Sequence, residues 1–284
     1  MANNVLNLIT GAKSEPTSSV QKACLILRVM SDAQTTRLTD IASAAGLDKA
    51  TTLRLLDVLA RARFVSRDPD TKHYSLGSEL FVLATAALAR FDPRPPVRPS
   101  LLRLASLFED TAILSIPSGA ESICVDLEQG RFPIRANYLE VGSRRPLGVG
   151  AGSLALLAWM TDRDIEAVMP VIATRLARHP RITPRLLEKH IVDTRRRGYA
   201  VMVEVVVERM GGIAMPILGG DGRPVAAISI AALTDRITSR EEALAAALKR
   251  EVSACESFWN RAADRAVRRP SRPRGAASQA GARR

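Results

Sequence analysis

The stretch LTDIASAAGLDKATTLRLLDVL, residues 38–59, constrains this chain more than any other. Leu38, Ile41, Ala42 and Ala45 recur at i, i+3, i+4 and i+7. Thr52, Leu55, Leu56 and Leu59 repeat that spacing, so each half predicts a short helix with one buried face. Gly46 between them supplies a backbone free to turn sharply. Asp48 is placed to cap the second helix by accepting from the amide of Thr51. With one face committed to a core, Lys49, Ala50, Thr51, Leu53 and Arg54 fall together on the outward face near the helix start.

The flanking sequence completes a small domain. Ala23, Cys24, Leu27 and Met30 have helical spacing behind a capping Ser19, and FVSRD and KHYSL are β-prone runs joined by the turn DPDT. Three helices and a hairpin make a winged helix-turn-helix, whose third helix enters the DNA major groove. In that setting Lys49 and Thr51 suit phosphate or base contact, Arg54 can bond guanine bidentately, and Ala50 or Leu53 can touch a thymine methyl. Lys72 and His73, in the hairpin, complete the expected DNA-binding set. An ordinary three-helix bundle with a solvated polar face has the same spacing and stays open at this point.

Gly77 precedes the apolar run SELFVLATAALARF, which DPRPPVRP ends because proline disfavours helix in the residue before it. Leu80, Phe81, Leu83, Ala84, Ala87 and Leu88 give this helix an apolar surface wide enough to need a partner, either a second copy or its own domain. Beyond it, a helix from Ser100 to Glu109, strand-like TAILSI, ESICVDL, IRANYL, YAVMVEVVV, GIAMPIL and PVAAISIAAL, a helix at Ala151–Met160 and a last helix from Ser239 to about Arg265 read as α+β. The expected organisation is a disordered N-terminus (1–18), a winged domain (19–77), a linker helix with a Pro-rich hinge (78–99), a second domain (100–265) and a basic disordered tail (266–284).

A net charge of +12 invites a nucleic-acid reading, but its distribution matters. Basic residues outnumber acidic ones by 11 to 8 over residues 1–90, 22 to 20 over 91–260, and 8 to 1 over 261–284. Most of the excess is in the tail, where it either adds nonspecific phosphate attraction or only aids solubility. Cys24, Cys124 and Cys255 suggest neither a disulfide framework nor a metal site, and packing thiols are expected. No signal-peptide pattern or long apolar run occurs, so a cytoplasmic protein without membrane contact is expected.

KACLILRVM, LTDIASAAGLDKATTLRLLDVL and FVSRDPDTKHYSLGSELFVLA resemble, in order and spacing, the N-terminal domain of the IclR-type (isocitrate lyase regulator) bacterial transcription factors. VGSRRPLGVGAGSLALLAWM resembles that family's loop and helix beside the effector pocket, and RRRGYAVMVEVVVERMGGIAMPILGGDGRPVAAISIAAL its closing sheet. The resemblance spans about residues 19–260. It implies a linker helix, a GAF-like α/β effector-binding domain, a homodimer or dimer of dimers, a palindromic double-stranded operator, repression or activation, and no cofactor or metal.

An enzyme would need converging acid, base or nucleophile groups. His73, His179 and His190 stand in unrelated contexts, with the latter two expected to be solvated. No HExxH, GxSxG, P-loop or GxGxxG element occurs, and Glu204 and Glu208 fit outer positions of a strand better than a carboxylate site. A sensor fits better. GVGAG leads into a helix whose free amides favour a carboxylate, although the same glycines also suit a tight loop. By resemblance, the pocket is lined by the backbone of Gly150 and Ala151 and by Met202, Gly212, Ser229 and Ala231. The family's small oxo-acid binders carry an aspartate, a cysteine and two serines at several such positions, and a histidine and lysine where this chain has Gly148 and Ser153. With only Ser229 polar, the expected effector is an organic acid with an apolar or aromatic body filling space beside Gly212. The alternative function is a nonspecific nucleoid- or RNA-binding protein.

Overall fold

The computed structural model describes residues 18–31, 34–135 and 139–267. Of the residues 1–18 and 266–284 expected to be disordered, 1–17 and 268–284 fall outside the described residues, whereas Ser18 caps the first helix and residues 266 and 267 belong to the last one. The first helix, α1 (Ser19–Val29), is capped by Ser18 rather than Ser19, because Gln21 then completes a reciprocal capping box. It buries Leu25, Ile26, Val29 and Met30, and leaves Cys24 exposed. The expected face was rotated because the apolar stripe is wide and the bulkier pair Leu25 and Ile26 takes its centre.

The helices α2 (Leu38–Ala45) and α3 (Lys49–Arg61) flank Gly46, whose φ of 62° gives the left-handed cap expected of it. Asp48 Oδ1 accepts from the Thr51 amide at 2.8 Å. The hairpin is β1 (Val65–Arg67) with β2 (Tyr74–Leu76), and Val65 and Tyr74 close the core formed by α1, α2 and α3.

The helix α4 (Ser78–Arg90) leads to α5 (Arg94–Phe108), which begins at Arg94 rather than Ser100. The prolines expected to form a hinge are its first turn. Pro95 and Pro96 forgo amides that have no helical partner there, and their fixed φ suits a helix start.

The second domain is a six-stranded sheet of order β5-β4-β3-β8-β7-β6, antiparallel at every pair. Its strands are β3 (Thr111–Ser118), β4 (Glu121–Glu128), β5 (Arg144–Pro146), β6 (Ala200–Val203), β7 (Met210–Leu218) and β8 (Pro224–Leu233). No strand forms at 134, 135 or 139 among the described residues, contrary to the reading of IRANYL. The strand expected through residue 207 stops at Val203. Glu204 and Arg209 turn out at φ 59° and 60°, and the Glu204 amide bonds Met210 O at 2.7 Å to close a loop.

Alternation along the strands sorts the core into two layers. Leu114, Ile213, Ile228 and Ile230 face α5 and the long helix α10 (Glu241–Val267), which follows the short α9 (Thr234–Thr238). Ala200, Ala214 and Ala227 face α6 (Ala151–Ala158), α7 (Asp162–Leu176) and α8 (Pro184–Arg197). Small strand residues on that second face let α6 sit close to the sheet, where all its residues but Gly152 are buried. The result is the α+β two-domain architecture expected.

Candidate functional site

Two regions carry chemistry. On α3, Lys49, Ala50, Leu53 and Arg54 are exposed and Thr51 is half-buried, on the side opposite the buried Thr52, Leu55, Leu56 and Leu59. Hydrogen bonds from Thr51 hold the Asp48 carboxyl below its usual range, which keeps the cap ionised at the helix start. Lys72 and His73 lie on the wing instead. The Lys72 ammonium donates to Pro69 O, and His73 Nε2 accepts from Arg37 Nε at 3.3 Å. Arg67 lies 5.3 Å from the Tyr74 ring centroid. Arg37, Thr39, Arg67, Lys72 and His73 thus line one concave cationic surface between α2 and the wing. Arg37 and Arg67 escaped the sequence reading because only tertiary folding brings α2 to the hairpin.

The second region is a cavity of about 50 Å³ between the sheet and the start of α6. Each strand offers residues two apart to it, as a pleated surface requires. Ser122 and Cys124 come from β4, Ile113 and Ser115 from β3, Ser229 and Ala231 from β8, and Met210 and Gly212 from β7. Register makes Ser115 the neighbour of Cys124, Ile113 of Ser229, and Ala231 of Gly212, which also pairs with Met202 on β6. Gly150, Ala151 and Gly152 form the wall at the helix start, and Val205 and Val206 of the 204–209 loop lie across it. All six residues carried over by resemblance therefore meet around one cavity.

The details differ from expectation in three ways. First, Gly212 leaves no empty space: a Cβ there would lie 3.2 Å from Ile230 O and 3.3 Å from the Ala151 Cβ, so this glycine lets α6 approach β7. Second, the Gly150 amide donates to Met202 Sδ at 3.1 Å. Third, Ser229 is not the only polar group. Ser115, Ser122, Ser143 and Arg145 also line the cavity, and Arg145 Nη1 would lie 3.3 Å from a Cβ on Gly150. The sequence did carry a signal for Ser115, Ser122 and Cys124: residues at alternate positions in otherwise apolar strands.

Arg145 is the one charged side chain among the described residues lining the cavity, and no carboxylate lines it. Its charge helps depress the half-buried His179 below the usual histidine range, after burial itself. His190 is also half-buried and depressed chiefly by burial, so neither histidine is solvated as expected. Burial and then Asp126 push the Cys124 thiol up to about 11, which keeps it protonated near neutral pH. Glu204 and Glu208 are both exposed, in the loop after β6 rather than on a strand. Arg181 Nη1 donates to Glu204 O at 2.9 Å and Nη2 to Glu208 Oε2 at 3.1 Å, tying down the loop over the cavity. No cluster of three metal-ligating side chains occurs among the described residues, and none of their helices is long and apolar enough to cross a membrane.

A winged DNA-binding domain joined to a domain with an internal cavity defines a class of transcription regulators, and comparison with known proteins places the chain within it. Residues 19–69 match the IclR helix-turn-helix domain and residues 85–256 the bacterial transcriptional regulator IclR C-terminal domain. The chain belongs to the IclR family of transcriptional regulators. It is 31% identical over 205 residues to the HTH-type transcriptional repressor AllR of Salmonella paratyphi A, covering 71% of this chain and 74% of that protein. An IclR transcriptional regulator from Alicyclobacillus acidocaldarius superposes with a TM-score of 0.69 at 25% identity, over 85% of this chain and 98% of that one. An IclR homologue from Microbacterium hydrocarbonoxydans, complexed with 4-hydroxybenzoate, shares the fold with a TM-score of 0.69 at 22% identity, over 84% and 98% of the two chains. The relatives are named as regulators rather than enzymes.

Proposed function

We propose that this regulator binds a specific operator in the cytoplasm as a homodimer or dimer of dimers, and that a small organic anion in the α6 cavity modulates that binding. Residues 19–77 serve DNA recognition, 78–99 connect and pair the protomers, and 100–265 sense the effector. On DNA, Lys49, Ala50, Thr51, Leu53 and Arg54 face the major groove, and Lys72 and His73 approach the backbone beside it. Pairing is supported by α4, where no described side chain is buried and Phe81, Val82, Leu83 and Leu88 are exposed. Packing of α4 on its own domain would have covered them.

The observation that carries the effector reading is the cavity itself, which combines one guanidinium, no carboxylate and a helix N-terminus. Its volume revises the expected apolar or aromatic body. About 50 Å³ is a third of the roughly 150 Å³ that holds benzene in a buried apolar cavity. The serines also give polar partners to a second oxygen. The relative that holds 4-hydroxybenzoate supports a hydroxylated acid as a ligand for this fold.

Sequencing the genomic DNA that co-purifies with the protein gives the operator. Fluorescence anisotropy with that duplex, titrated with a panel of short carboxylic acids, then tests the reading. Operator affinity should survive excess unrelated duplex and change with one of the acids. Equal affinity for every duplex would instead favour nonspecific nucleoid or RNA binding.

A further inference from the structure

We propose that the groove between α7 and α8 is a dock for this chain's own C-terminal tail, with Arg283 and Arg284 seated on its acidic rim. The groove shares no lining residue with the α6 cavity, so this seat is independent of the effector reading. It encloses about 630 Å³ over an apolar floor, with Ile165 and Met169 on α7 facing Ile191 and Val192 on α8. Val192 is left 63% exposed. Asp162 and Glu166, one turn apart, form the α7 rim, and Glu188 stands on the α8 rim.

Arg195 is the one cation among the described residues lining the groove, and it is committed elsewhere. Its Nη1 donates to Asp162 Oδ1 at 2.8 Å, while Nε and Nη2 donate to Ala158 O and Met160 O. Glu166 and Glu188 form no ion pair with a described residue, so the apolar trough carries two uncompensated carboxylates. An occupant must then be cationic. A second copy offering the same face would set carboxylates against carboxylates. The tail has the right charge, since residues 268–284 hold six arginines and no acidic residue. Its last stretch, GAASQAGARR, places Arg283 and Arg284 behind a spacer of small residues. Arginine stems can lie along the apolar floor while their guanidiniums reach the rim carboxylates.

The tether also has the right length. Glu256 Oε1 accepts from the Leu218 amide at 2.9 Å, which fixes α10 beside the hairpin of β7 and β8. Arg223 of that hairpin lies 3.5 Å from Asp164 Oδ2 in the first turn of α7, so α10 and the mouth of the groove come to the same end of the sheet. Beyond Glu256 the helix runs on to Val267 for about 16 Å, and crossing the sheet takes two layers of about 10 Å each, which puts the groove about 25 Å from Val267. The sixteen residues from 268 to 283 span roughly 20–24 Å root-mean-square as a flexible chain. Effective concentration peaks when tether and span match, so contacts too weak to hold a free peptide can hold a tethered one.

Irradiation of the full-length chain carrying Val192→p-benzoylphenylalanine, followed by peptide mapping, tests this, with the melting temperature verifying the fold. The crosslink should fall within residues 275–284. In a mixture of unlabelled and isotope-labelled protein, the joined peptides should carry the same label, because tail and groove belong to one chain. Glu166→Gln with Glu188→Gln, and separately Arg283→Gln with Arg284→Gln, should each lower the yield about threefold or more, and about 0.5 M salt should do the same. A random duplex at low salt should also lower it, because phosphate competes for the same arginines. A crosslink to any other segment, mixed-label products, no crosslink, or a yield indifferent to these charges, to salt and to duplex overturns the proposal.

Discussion

Replacing Asp110 by asparagine should destabilise the second domain far more than its single-atom change suggests. Asp110 stands immediately before β3, with its side chain 1% exposed. Its carboxylate accepts from Arg236 Nε at 2.9 Å and Nη2 at 3.3 Å, and from Arg240 Nη2 at 2.5 Å. Both guanidiniums also donate to Phe108 O, and Arg236 stacks 3.7 Å from the Phe132 ring centroid, so neither can simply swing into solvent. Asparagine keeps the shape and one acceptor, but turns an amide donor toward guanidinium donors and leaves two positive charges without their counter-ion. Breaking a buried pair costs about 3–5 kcal/mol. The arginines are 23% and 29% exposed, so solvent recovers part of that, and we expect about 2–4 kcal/mol at neutral pH. For a domain of this size the melting temperature should fall by about 4–16 °C. Calorimetry and guanidinium titration followed by circular dichroism measure it. The triple variant Asp110→Leu, Arg236→Met, Arg240→Met should recover most of the loss, since an apolar replacement removes all the buried charges together. A loss below about 1 kcal/mol for Asp110→Asn would refute the reasoning.

Other outcomes follow from the same structure. Arg54→Ala should lower operator affinity by about 1–3 kcal/mol with the fold unchanged, measured by anisotropy against competitor DNA; an equal loss on random duplex would mean that Arg54 touches only phosphate. Phe81→Asp with Leu88→Asp should shift the light-scattering mass to that of one 30.7 kDa chain, and an unchanged mass would place the interface elsewhere. Burial lowers the folded pKa of His179 and His190, so the folded state binds fewer protons than the unfolded one. Their contribution to stability is then present above about pH 6.5 and lost as the pH falls through it toward the folded values. His179→Gln with His190→Gln should flatten the stability profile between about pH 7 and pH 5, and an unchanged slope would contradict the assignment.

The winged domain was legible because its signals are local. A glycine between two sets of helical spacing, a capping aspartate and a hairpin turn each act within a few residues, and the structure forms each one. In the second domain TAILSI, ESICVDL, GIAMPIL and PVAAISIAAL were equally plain. What escaped depends on distant partners. Arg145 looked like one of two loop arginines until pairing with Ser122 turned it inward, and Gly212 looked like vacant space until Ala151 was found against it. The valines at 205–207 have strand propensity, but the left-handed turns at Glu204 and Arg209 override it. The prolines at 95 and 96 point to a hinge from sequence alone, and only the core contacts of Val97, Leu101 and Leu104 make them a helix start instead.

The position of β8 between β3 and β7 bears on how the protein is made. Pairing places Thr111 beside Ala231 and Ile113 beside Ser229, so β3, which can pair early with the adjacent β4, has its other edge open until β8, the last strand, is made. At about 5–20 residues per second, the intervening segment takes on the order of ten seconds to emerge from the ribosome. The winged domain, built from short-range contacts, can complete its fold during that interval. The cavity beside α6 cannot, because the strand bearing Ser229 and Ala231 is part of its wall. A nascent chain can therefore complete its winged domain well before the cavity of its second domain has all its walls.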